Sequence, residues 1–434
     1  MKFASPPGSP GGLPVDLPAW LHYIDSRHSR PIDLGLDRVR EVRDRMGLTP
    51  AFPVITVGGT NGKGSTCAML EAILRCGGFR VGCYTSPHLL RYNERVKVSG
   101  RMVSDTDLCE AFAAVESARG STPLTYFEFG TLAAVWHFLR TGVEVAILEV
   151  GLGGRLDAVN AFDADCAAVT SIGIDHIDYL GSTRESIGAE KAGIFRTGRP
   201  AVIGEPRPPA TLVGHAAGIG ARVLLAGEDF RAIDEATQWR YEGPGATRAG
   251  LPFPALRGSY QIHNAAIALT ILDTLKACLP LSSGAVREGL LTVELPGRFQ
   301  VLPGVPVMIL DVAHNPHAAE KLSQALGAMK CTGRTHAVFG MLRDKDIAGV
   351  AGAVKAHVDR WYLGPLEGPR GADAQTLLRA LDEAGVYDEA RAFANVREAL
   401  DVARAAAGAD DRILVFGSFL TVSHALEARA SRAL

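Results

Sequence analysis

Residues able to do chemistry first gather in the stretch 54–66, Val-Ile-Thr-Val-Gly-Gly-Thr-Asn-Gly-Lys-Gly-Ser-Thr, where a glycine-rich turn separates an apolar run from a helical pattern. Glycines let the chain turn tightly enough for successive N–H groups and the next helix N-terminus to face an anion. Thr60, Asn61, Gly62, Lys63, Gly64, Ser65 and Thr66 are the candidate nucleotide contacts; Lys63 brings a positive charge and Ser65 a hydroxyl able to ligate Mg2+. The string departs from G-x-x-x-x-G-K-[ST], because Val57 stands at the first glycine position and Gly64 parts Lys63 from Ser65. A glycine-rich turn that binds nothing is the plainer alternative, but a lysine inside such a turn has little packing purpose.

A second glycine-rich stretch, residues 149–156, begins like a dinucleotide fingerprint and then fails, since Leu156 stands where the third glycine is required. A nicotinamide cofactor is thereby disfavoured. Glu149 remains, near the C-terminal end of a predicted strand, where α/β folds build ligand sites.

Residues 59–65, 84–89 (Tyr-Thr-Ser-Pro-His-Leu), 125–128, 149–160, 170–176, 190–194 and 311–316, with 32–38 (Ile-Asp-Leu-Gly-Leu-Asp-Arg) near the start, together resemble the folylpolyglutamate synthase/dihydrofolate synthase family. That family is a branch of the ATP-dependent muramyl-ligase superfamily, and the matches run from about residue 20 to Thr421. The resemblance implies ATP-driven joining of L-glutamate to dihydropteroate or to the glutamate tail of a (tetrahydro)folate. A carboxylate is a poor acyl donor because its leaving group would be oxide. Moving the γ-phosphoryl group onto it gives an acyl phosphate that an amine can attack, releasing ADP and then phosphate. The protein must align anions, neutralise their charge and keep water from the mixed anhydride.

The same resemblance implies two Mg2+ ions, with Ser65 and Glu149 nearer the ATP-side ion and Ser86 and His176 nearer the second. Hard oxygen donors with occasional imidazole suit that metal. Taken alone, Ser86 is a turn hydroxyl before Pro87 and His176 a loop histidine. Lys191 matches a lysine carbamylated in many superfamily members, which turns an ammonium into an anion; the alternative is a surface lysine pairing with Glu190 or Glu185. Lys191, His176 and Lys63 are the implied catalytic residues. Asn264, Arg298 and Asp311 match nucleotide contacts, and because they span both expected domains ATP is expected in a cleft that closes over it. Arg298 also fits an interdomain salt bridge. Phe127, Asp157 and Ala158 match a pterin pocket, where an aromatic face stacks on a flat heterocycle and a carboxylate bonds its ring nitrogens. Phe127 alone reads as core. His314 and Ser418 match positions near the incoming glutamate, while Arg91, Arg95, Lys97 and Arg101 read as a solvated strand face, the alternative being recruitment of an anionic folate.

Positioning these residues takes strands whose ends share one edge of a sheet. Short apolar runs at 54–57, 81–85, 145–150, 167–171 and 201–203 alternate with helical patterns such as 65–75, as in a parallel sheet covered on both faces. Residues 204–256 loosen into what reads as a β-rich insertion, a helix is expected over 264–276, and Pro296-Gly297 reads as a hinge. Alternation restarts at 307–311, 335–340, 360–363, 391–393 and 413–417, with a helix over 317–329. The expected fold is α/β: a P-loop-type, mostly parallel sheet domain (1–296, for ATP and folate) followed by a smaller Rossmann-like domain (297–434, for glutamate ligation). Residues 1–14 read as a frayed tail.

With 45 basic against 47 acidic residues among 434, the chain lacks the field of a general nucleic-acid binder, and its 47% hydrophobic content excludes wholesale disorder. No apolar run approaches the ~18 residues of a membrane helix. Seven cysteines without a Cys-x-x-Cys pair read as small buried hydrophobes in a reducing compartment. A cytoplasmic monomer acting on small molecules is expected, with no nucleic-acid or membrane partner. Two rivals stay open: a muramyl-peptide ligase, for whose extra N-terminal substrate domain the chain ahead of Gly58 is too short, and a nucleotide-gated binding module that forms no amide.

Overall fold

A computed structural model describes residues 12–28, 30, 32–386 and 390–430, so most of the expected N-terminal tail lies outside the described residues. Two compact units form, neither contiguous in sequence. The first comprises Met1–Ile172, Asp178–Pro252 and Ala265–Leu291, the second Gly173–Ile177, Phe253–Asn264 and Thr292–Leu434.

The chain opens with α1 (Leu17–Asp25), α2 (Asp37–Arg45), β1 (Val54–Gly58), α3 (Lys63–Cys76), β2 (Val81–Tyr84), β3 (Val96–Val98), β4 (Arg101–Met102), α4 (Asp105–Arg119), α5 (Tyr126–Thr141) and β5 (Val145–Glu149). It continues through β6 (Cys166–Val169), α6 (Ile177–Leu180), α7 (Arg184–Ala192), β7 (Pro200–Ile203), α8 (Ala210–Gly218) and β8 (Arg222–Leu225). These strands form one sheet in the order β4-β3-β2-β5-β1-β6-β7-β8, parallel except where β3 and β4 run antiparallel at the edge. β1 is buried along its whole length, as a central strand covered on both faces must be. Its register pairs Val57 with Glu149 on β5 and Gly58 with Val169 on β6, which brings the glycine-rich turn, Glu149 and Thr170 to one edge.

The stretch expected as a β-rich insertion divides. Its first part, α8 and β8, extends the large sheet; only β9 (Arg231–Asp234), β10 (Trp239–Gly243) and β11 (Ala246–Leu251) make an antiparallel meander. The small residues of α8 hid its helical period. α3 starts at Lys63, earlier than the expected 65, and α9 (Gln261–Thr274) starts ahead of the expected 264. All seven cysteines are free thiols, but only Cys67, Cys83 and Cys166 are buried and Cys278 is exposed, which corrects the uniform reading.

After α10 (Ser283–Thr292) the second unit holds β12 (Gln300–Leu302), β13 (Val307–Asp311), α11 (Pro316–Ala328), β14 (Thr335–Phe339), α12 (Ile347–Val354), β15 (Arg360–Leu363), α13 (Ala374–Glu383), β16 (Ala390–Ala392), α14 (Val396–Ala406), β17 (Arg412–Phe416) and α15 (Phe419–Ala430). Its sheet order is β12-β13-β17-β14-β15-β16, parallel but for β12. Phe339, Trp361 and Phe416 pack ring on ring in its core, with Phe339 to Phe416 centroids 4.8 Å apart.

Candidate active site

The turn after β1 is shaped by two glycines with positive φ, Gly59 at +142° and Gly62 at +87°. A Cβ on Gly59 would stand 2.0 Å from Thr170 Oγ1, so no larger residue fits. The end of β6 pins the turn: Thr60 N–H donates to the Ser171 carbonyl (2.8 Å), Asn61 N–H to Ser171 Oγ (3.0 Å), and Thr170 Oγ1 donates to the Asn61 carbonyl (2.6 Å). Gly62 is the N-cap of α3, so the first N–H groups of that helix follow directly, where the helix itself offers no acceptor. Lys63 folds back, donating to the carbonyls of Gly59 (3.0 Å) and Thr60 (3.3 Å); an ammonium has three donors, so one is left for a ligand. Ser65 is nearly enclosed. Thr66 points inward, its N–H given to the Gly62 carbonyl at 2.9 Å and its hydroxyl buried without a hydrogen-bond partner among the described residues.

Lys191 is no surface lysine. It is 4% exposed in the last turn of α7, and its Nζ donates to the Gly59 carbonyl at 3.1 Å. Glu190 pairs instead with Arg155 (2.7 Å), and Glu185 accepts from Thr211. Glu149, 4% exposed at the end of β5, accepts the Ser86 N–H at 3.1 Å, which ties the loop after β2 to that carboxylate. Among the described residues no group of three or more His, Cys, Asp and Glu side chains is placed to hold a metal. Glu149 and the hydroxyls of Ser65 and Ser86 offer hard oxygens, a type of donor that fits Mg2+ supplemented by phosphate oxygens and water.

Phe127 lies in the first turn of α5, whose capping box joins Thr125 and Glu128. A Cβ on Gly151 would meet the Phe127 ring at 2.7 Å, so the ring lies close against the glycine-rich turn after β5, and Tyr84 packs against it in a tilted arrangement with centroids 5.7 Å apart. Asp157 accepts N–H groups of Leu152 (2.8 Å) and Val159 (3.1 Å). Burial nonetheless pushes its carboxyl up to about 6, and Ala158 beside it is buried. The basic run divides: Arg95 lies over the rings of Tyr92 and Tyr126 and donates to His88 Nδ1 at 2.9 Å, so it is not a solvated strand residue.

In the second unit, His176 has φ +52°, an unusual backbone for a residue with a Cβ, and its side chain is 35% exposed. Its Nε2 is 3.4 Å from Lys345 Nζ. Lys345, 6% exposed, donates to Asp175 at 2.5 Å, Asn315 donates to the same carboxylate at 3.2 Å, and His314 Nε2 stands 3.7 Å from it. Burial opposes ionisation there, but His314, His176 and Lys345 hold the Asp175 carboxyl well below the usual range. Arg298 lies over Phe419 at 5.0 Å. Asp311 accepts N–H groups of Phe299 (2.7 Å) and Ala313 (2.8 Å), and burial raises its pKa against them. Asn264 donates to Gln261 (2.9 Å), and Ser418 Oγ accepts the Thr421 N–H (3.0 Å), capping α15. Asp175 and Lys345 were not singled out by sequence reasoning. The signal was the charged run 343–346 just beyond β14, at the strand end where such sheets bind ligands.

Residues 57–272 match the model of the Mur ligase middle domain, and residues 297–419 that of the Mur ligase glutamate ligase domain. Fold and site thus define a Mur-type ATP-dependent ligase. The dihydrofolate synthase/folylpolyglutamate synthase of Escherichia coli strain K12 is 49% identical over 412 residues, 95% of each chain. Among solved structures, E. coli FolC in complex with DHPP and ADP has a TM-score of 0.91 at 48% identity, covering 97% of this chain and 99% of its own. A bifunctional folylpolyglutamate synthase/dihydrofolate synthase with Mn, AMPPNP and L-glutamate bound has a TM-score of 0.89 at 47% identity, over 96% and 98%. The chain belongs to the dihydrofolate synthase/folylpolyglutamate synthase family.

Proposed function

We propose that the chain joins the amino group of L-glutamate to the carboxylate of dihydropteroate, and to the glutamate tail of a reduced folate, using ATP and an acyl phosphate. The observation that carries this reading is Gly59, whose carbonyl receives both Lys63 and Lys191 and so couples the phosphate loop to the lysine the family implies. The relatives crystallised with DHPP and ADP, and with Mn, AMPPNP and L-glutamate, support the substrate set.

In this reading the phosphate loop and the free donor of Lys63 hold the phosphates, with Asn264, Arg298 and Asp311 completing the nucleotide contacts. Phe127 stacks on the pterin, Asp157 accepts its N–H groups and Ala158 lies beside it. The substrate carboxylate oxygen attacks the γ-phosphorus and ADP leaves. The glutamate amine, oriented near His314 and Ser418, then attacks the acyl carbon, and phosphate departs with one former carboxylate oxygen. Ser65 and Glu149 would hold one Mg2+ and Ser86 and His176 would serve a second, and such ions would supply positive charge to the phosphates. A carbamylated Lys191 would fit this set: its Nζ would keep one hydrogen for the Gly59 carbonyl, and the carbamate would add a hard oxygen donor for the metal. Residues 1–296 serve ATP and folate, residues 297–434 serve glutamate, and the enzyme works as a cytoplasmic monomer.

Incubation with ATP, Mg2+ and labelled glutamate, offering dihydropteroate, tetrahydrofolate or a muramyl substrate in turn, tests the reading. Label is expected in the first two. Label in the muramyl compound alone, or ATP hydrolysis without an acceptor, contradicts it.

A further inference from the structure

The segment 32–38 resembles its family counterpart, yet none of the roles above uses it. Its arginine makes a close-knit set of contacts within the first unit. Arg38 Nη1 meets Asp33 Oδ2 at 2.7 Å, and Nη2 donates to the Asp33 carbonyl at 2.7 Å. The same guanidinium then crosses to α5, where Nη2 donates to Glu128 Oε1 at 3.1 Å and Nε to Oε2 at 3.4 Å. Glu128 is 3% exposed, and its Oε2 also accepts the Thr125 N–H at 2.8 Å, while its own N–H donates to Thr125 Oγ1 at 3.2 Å. One carboxylate therefore closes the capping box of α5 and receives the arginine fork.

Phe127 stands between the two ends of that capping box, with its ring confined by Gly151 and Tyr84. A turn clamped at Thr125 and Glu128 leaves the ring between them little freedom. We propose that Arg38 is a positioning residue for the pterin end of the substrate, acting through Glu128 to fix the first turn of α5 and thereby the Phe127 ring. This rests on the reading of Phe127 as the pterin platform. Lysine cannot replace the arginine fully, because one ammonium cannot span Asp33 and both oxygens of Glu128 as a planar fork does.

The experiment compares Arg38→Gln, Arg38→Lys, Glu128→Gln, Phe127→Ala and the double variant Arg38→Gln/Phe127→Ala, measuring KM for dihydropteroate, ATP and glutamate separately, with thermal melting alongside. Arg38→Gln is expected to raise the dihydropteroate KM on the order of tenfold while KM for ATP and glutamate stay within about twofold, since misplacing a group that orients substrate is felt at that substrate alone. Arg38→Lys should fall between, and the double variant should be no worse than Phe127→Ala. Glu128→Gln keeps a residue able to close the capping box, so it reads the loss of charge if Arg38→Gln does not fold. Additive effects in the double variant, or an equal rise in all three KM values, overturn the proposal while leaving the platform intact. An unchanged dihydropteroate KM in Phe127→Ala removes the platform reading and this role with it.

Discussion

The ammonium of Lys191 donates to the backbone carbonyl of Gly59 at 3.1 Å, linking the last turn of α7 to the phosphate loop. Lys63 donates to the same oxygen. Replacing Lys191 with Ala leaves the loop carbonyl satisfied by Lys63, so the fold should survive. The kcat should drop about 10²–10³-fold, the usual cost of removing a charge-stabilising group. Short carboxylic acids added to that variant should restore part of the activity; failure of rescue counts against the carbamate.

Glu149→Gln keeps an oxygen for the Ser86 N–H but removes a buried negative charge from the hard-oxygen set. The Mg2+ concentration for half-maximal activity should rise at least about tenfold with little change in melting temperature, because carboxylate ligands set affinity for this cation. A Mg2+ titration of rate checks this.

The strand ends that carry these groups were legible in the sequence because doubly covered strands are nearly all apolar; β1 and β5 are buried throughout. Edge elements were not. β4 and β12 pair on one side only, and β3, paired between β2 and β4, is only partly buried; they carry Arg101, Gln300 and Lys97, so they lack the apolar run. Glu149 and the phosphate loop could be placed by motif. The contact of Lys345 with Asp175 spans 170 positions, and that of Arg38 with Glu128 spans 90, and no local pattern encodes either. The sequence around Lys191 fits a surface and a site lysine alike, because a lysine next to Glu190 looks solvated until its burial is seen.

Burial raises Asp157 from 3.8 to about 6. A carboxyl raised in the folded state binds its proton more tightly than in the unfolded chain. Its contribution to stability is therefore full below about pH 4 and lost as pH rises through about 6. Accepting pterin N–H groups favours the ionised form, so the dihydropteroate KM should climb as pH falls below about 6. Asp157→Asn should abolish that inflection in a KM-against-pH profile.

Gly151→Ala places a Cβ 2.7 Å from the Phe127 ring, and the ring must move. Overpacking of this kind costs about 1–3 kcal/mol. A lower melting temperature is expected together with a higher dihydropteroate KM and unchanged KM for ATP.

The acyl phosphate is the core of the account, and oxygen transfer tests it most directly. With dihydropteroate labelled in its carboxylate by 18O, and with ATP and glutamate present, mass spectrometry of the released phosphate should find one 18O for each amide formed. Amide formation with unlabelled phosphate would contradict it.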